Sequence, residues 1–143
     1  MIEEISNEGQ LLALIIRSNF DCKGVHFFTP NQFSQQLAYM HHPVGKTIEP
    51  HCHVALPRNV EFTQEVLVIR RGALRVDFYR ADKTYLESRI LKTGDVILLA
   101  HGGHGFEVLD DLEMIEVKQG PYCGEGEKVR FPSIGPDQIK IVS

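Results

Sequence analysis

Short apolar stretches, each broken off after five to eight residues, dominate the middle of this sequence. Residues 25–29, 47–53, 65–71, 73–79, 84–91, 95–100, 105–109 and 112–118 are rich in β-branched and aromatic side chains, and Gly, Pro, Asn or Asp separates them. None is long enough to form an amphipathic helix of ordinary length, whereas strands of this size with turn residues between them build sandwiches and barrels. The expectation is an all-β sandwich or barrel. Arg71-Gly72, residues 80–84 and Asp110-Asp111 read as tight hairpin connections. The apolar run inside residues 1–20 is ambiguous in periodicity and is read as strand.

At 143 residues the chain fits one domain and is long enough to bury a core unaided. After residue 118 it becomes rich in Gly and Pro, so residues 119–143 read as a loop-rich extension that ends in a short strand near 139–142. The formal charge of −4 provides no general attraction for nucleic acid. No apolar run approaches a membrane span, and the acidic start lacks a basic export region, so a cytoplasmic protein is expected. Cys22, Cys52 and Cys123 form no CxxC pair and read as reduced thiols.

Chemistry concentrates around His51 and His53. Residues two apart on a strand project from one face, which aims both imidazoles at one point and turns Cys52 away. Imidazole and carboxylate together suit zinc, iron, manganese or nickel, and Glu65 on a following strand is a sensible further donor.

The spacing Gly45, five residues, His51, His53, then Glu65, six residues and Gly72 resembles the first motif of the cupin family. The gap from His53 to Glu65 holds eleven residues, longer than the family's usual few, and leaves Glu61 as a weaker substitute for Glu65. Gly94 and the stretch through residue 109 are similar to the second cupin motif, with His104 as its histidine and His101 as a rival. Ala100 stands where that motif has proline. The resemblance covers residues 45–118. It implies a single-domain jelly-roll β-barrel of two antiparallel sheets, a divalent transition metal held by His51, His53, Glu65 and His104, and a homodimer. More loosely, the chain looks like small cupins that accompany polysaccharide and sugar-nucleotide enzymes.

A metal held by three His and one Glu keeps positions open for a small-molecule ligand. The leading expectation is a metal-dependent enzyme acting on a sugar derivative, as an isomerase or epimerase. An iron-dependent dioxygenase and a non-catalytic binding module are the alternatives. His101 and Tyr79 are the candidates for moving a proton. Arg75 would hold a carboxylate or phosphate if its strand face lines the barrel, and otherwise belongs to a hydrated stripe with Asp77 and Tyr79.

Overall fold

A computed structural model describes residues 1–143 and is built almost wholly from strands. They are β1 (Ile2–Asn7), β2 (Gln10–Ile16), β3 (Gly24–Phe27), β4 (Ala38–His41), β5 (Glu65–Tyr79), β6 (Tyr85–Lys92), β7 (Val96–Leu99) and β8 (Gly103–Lys118). The only helical turns are two three-residue 3₁₀ pieces in the carboxy-terminal extension, and no helix is long and apolar enough to cross a membrane. β1 and β2 join through Glu8 and Gly9, both at positive φ, which is the backbone a two-residue hairpin of matching twist requires.

β5 organises the main sheet. One edge pairs first with β7, over Glu65 to Val68, and then with β6, over Ala73 to Tyr79. The other edge carries β8 antiparallel along the whole length, from Glu65 opposite Lys118 to Tyr79 opposite Gly103. Beyond β7 lie β2 and then β1, while β3 and β4 form a separate two-stranded sheet. An antiparallel all-β architecture therefore agrees with the expectation at that level, although only part of a barrel wall is present.

The two halves of the β5/β8 ribbon meet at a bend. Register shifts cluster between Ile69 and Leu74, and Gly72 sits at φ 87°, where a side chain would collide with the Asp111 carbonyl on β8. Arg71 bridges to Asp111 at 2.7 Å and to Glu113 at 3.4 Å across the same point. The hairpins expected at Arg71-Gly72 and Asp110-Asp111 are therefore corrected: each is a bulged bend inside one continuous strand. A Gly or an Asp pair interrupting alternation marks a bulge and a turn alike, and only the long-range pairing separates them.

Folding back brings the two limbs of β5 into one core. Leu67 and Ile69 from the first limb join Leu74, Val76 and Phe78 from the second, with Ile5, Leu12, Ile15, Leu91, Ile97 and Leu99. All are buried, and burial of each large side chain contributes about 1.5–3 kcal/mol. The core is nevertheless one-sided. Only 24 of 143 residues are buried, and β8, which has the longest pairing with β5, contributes none of them.

Two further expectations change. Residues 47–53 join no sheet and are exposed at every position, so the strand expected there does not form. The short strand expected near residues 139–142 reduces to a single bridge between Ile141 and Ser88. The amino-terminal apolar run is strand, as read from the sequence.

If the bend at Gly72 shapes the ribbon, Gly72→Ala should cost about 1–3 kcal/mol, through both the collision and the positive φ. Gly126→Ala, in open space without that backbone, should stay within about 0.5 kcal/mol of wild type. Urea unfolding of both variants checks the contrast.

Candidate functional site

The bend has a chemical consequence at the far ends of the ribbon. Glu65 opens β5, while His104 is the second residue of β8 and pairs with Phe78 near the other end of β5. Folding the ribbon in half brings them together, with Glu65 Oε2 3.3 Å from His104 Nε2. The hydrogen bond from His104 holds the Glu65 carboxyl below the usual carboxylate range, against the upward push of burial. Phe106, next on the same face of β8, stacks on the His104 ring with centroids 5.2 Å apart.

These residues form part of the wall of a cavity of about 560 Å³ at the mouth of the folded sheet. Glu116 and Lys118 come in from the carboxy-terminal end of β8, and residues 127–131 of the extension complete the lining. Lys118 is engaged by Glu127 at 2.7 Å and Arg130 by Glu125 at 2.7 Å. Lys128 makes no ion pair, so its ammonium is the cation available to an incoming anionic group.

The sequence candidates are distributed unevenly over this geometry. Glu65 and His104 meet. His51 and His53 also lie together, with ring centroids 5.4 Å apart, but on the exposed segment outside the cavity. A His51 ring nitrogen is 2.8 Å from the Glu49 carbonyl oxygen. No three His, Cys, Asp or Glu side chains converge as a metal cluster within one chain. A single chain thus offers two pairs of donors, not one set of four.

Tyr79 does line the cavity, but its hydroxyl accepts the Ile134 amide at 2.9 Å and its ring packs edge-on against Phe131. It fastens the extension to the sheet. Arg75 lies outside the cavity lining, held by Asp77 at 2.8 Å and by Glu107, while Ser88 bonds the same Asp77 carboxylate. It therefore belongs neither to the cavity nor to a hydrated stripe: Arg75 and Asp77 form a largely buried ion pair, their side chains 13% and 5% exposed. Glu61, the substitute for Glu65, is exposed on the extended segment.

His101 also lies outside the cavity lining, packed edge-on between Phe62 at 4.5 Å and Phe33 at 5.5 Å. Its Nδ1 is buried without a hydrogen-bond partner, and burial lowers its pKa. It acts as an apolar wedge that fixes where the exposed segment rejoins the sheet. Sequence reading missed this, and it missed Glu116 and Lys128; the alternation of Glu116 with Met114 along β8 was the available signal for the former.

Compared with known protein families, with known proteins and with solved structures, the chain matches none.

Because the folded state disfavours protonated His101, the unfolded state binds the extra proton as pH falls through the ordinary histidine value near 6.5. Stability from this wedge is present above that pH and declines below it. Urea midpoints at pH 7.5 and 5 should therefore fall further for wild type than for His101→Phe, and equal falls would show that the imidazole contributes nothing to the pH dependence.

Proposed function

We propose that the cavity at the ribbon mouth binds a divalent transition metal together with a small, anionic polar metabolite of the sugar-derivative type, in the manner of a small cupin. One observation carries the reading: a buried carboxylate and a partly exposed imidazole, brought from opposite ends of one folded ribbon, share a point in a solvent-reachable cavity. Carboxylate oxygen and imidazole nitrogen are the donor types that manganese, iron, nickel and zinc accept. Their spacing in the sequence relative to His51 and His53 supports the cupin resemblance.

A metal bound there supplies Lewis acidity to a coordinating oxygen. The chain's own contribution is placement: Lys128 attracts the anionic end of the ligand, Phe106 gives it an apolar wall, and the 127–131 segment limits water.

Binding without turnover is the reading the cavity favours over isomerisation or epimerisation. Of the two proton-moving candidates, His101 lies outside the lining and the Tyr79 oxygen is occupied by Ile134. Isomerase or epimerase turnover would fall to Glu116, the remaining carboxylate in the wall apart from Glu65 and the ion-paired Glu127.

Metal content after equilibration with manganese or zinc and gel filtration tests the reading. Glu65→Gln and His104→Ala should each weaken metal affinity at least about tenfold. Retention equal to wild type in both variants would overturn it.

A further inference from the structure

The chain carries two apolar surfaces that it does not bring together. The first is the segment 43–63, exposed at every position, whose residues 47–62 make no backbone hydrogen bond to other backbone groups. Ile48, Val54 and Leu56 project from it into solvent. The second is the open flank of β8: its far edge pairs with no strand, and Phe106 and Val108 on its cavity-side face are 41% and 59% exposed. An apolar strand with one bare edge and an apolar extended segment with no sheet are complementary shapes.

We propose that a second copy of this chain supplies the missing piece: the 43–63 arm of each copy lies along the β8 flank of the other, and carries His51 and His53 to the partner's pair of Glu65 and His104. This rests on the metal-binding reading and deepens it by making the site shared between two chains.

Length, charge and chemistry favour this occupant. Residues 47–62 can span about 50 Å when extended, close to what the sixteen residues of β8 cover. Two β8 edges would not pair comfortably with each other, because Glu107, Asp110, Asp111, Glu113 and Glu116 stand against Lys118 alone. The arm is balanced, with Lys46 and Arg58 against Glu49 and Glu61. His51 and His53 already share one side of the arm, as a strand laid beside β8 requires for both to face His104.

Within one chain the arm is led away. Its end is held by Phe62 against His101, its residues 58–60 lie against the 31–36 loop, and only Thr63 reaches the cavity. Exchange satisfies the bare edge, covers the flank and joins the two donor pairs in one arrangement, and closed two-fold symmetry builds it twice.

Mixed dimers test this directly. One copy carries His51→Ala and His53→Ala, the other Glu65→Gln and His104→Ala, and dual-tag purification isolates pairs containing one of each. Neither variant alone should retain metal, whereas the mixed pair keeps one intact site and should recover about one equivalent of manganese or zinc per dimer. Mixed pairs as empty as their parents, beside a loaded wild type, would overturn the exchange and leave the metal reading standing.

A crosslink reads the exchange without metal. Cys52 faces away from His51 and His53, and Gly105 faces away from His104, so Gly105→Cys with Cys22→Ser and Cys123→Ser places two thiols side by side only if the arm is exchanged. The nearest atom to a new Cβ at Gly105 is 3.8 Å away, so the substitution fits. Covalent dimers under mild oxidation are expected, and disulfides formed only within single chains would overturn the exchange. Covalent dimers from this variant, beside a wild type that binds no metal, would overturn the shared metal site and the metal reading with it.

Discussion

Everything in this fold hangs on one strand being long enough to be paired twice and bent once. β5 holds β7 and β6 in succession on one edge and β8 along all of the other, so its path sets the position of nearly every other strand in the main sheet. At Gly72 the ribbon turns on itself against Asp110 and Asp111, with Arg71 bridging the crease. Without that crease Leu67 and Ile69 would not share a core with Leu74, Val76 and Phe78, and Glu65 would lie a full strand length from His104. The packing and the candidate chemistry thus have one cause.

The half-built wall follows from the same geometry. β8 closes one side of β5 but has no neighbour of its own, and its inward side chains are left partly in water. Soluble proteins ordinarily shield such an edge with charge, a bulge or a covering segment. Here the acidic residues of β8 discourage like pairing, while the covering segment that the flank calls for has the dimensions of the arm. Ligand binding and assembly would then be linked, since the arm that covers the flank also carries the two remaining histidines.

Much of the strand content was legible in the alternation of apolar and polar residues, because a period of two needs only local information. The motif spacing singled out both Glu65 and His104, and the fold sets them 3.3 Å apart. Three things were not legible. Bends at Gly72 and Asp110-Asp111 carry the residue signature of hairpins, and a bulge is distinguished from a turn only by what lies across the sheet. The departure of residues 47–53 from the sheet is a matter of chain path, to which propensity is blind. His101 reads as a polar, proton-carrying residue in sequence, yet Phe33 and Phe62 converge on it from distant positions and make it part of an apolar contact. Arg75 was ambiguous until Glu107 of β8 proved to be its neighbour.

The most direct test of the shared site is the mass of the protein in solution, measured by sedimentation equilibrium from low to high micromolar concentration, for the wild type and for a variant whose residues 47–61 are replaced by a short Gly-Ser linker. A wild-type dimer of the 16.2 kDa chain that becomes a folded monomer when the arm is removed is the expected result. A wild type that stays monomeric throughout, or a variant that dimerises as tightly as wild type, would contradict it.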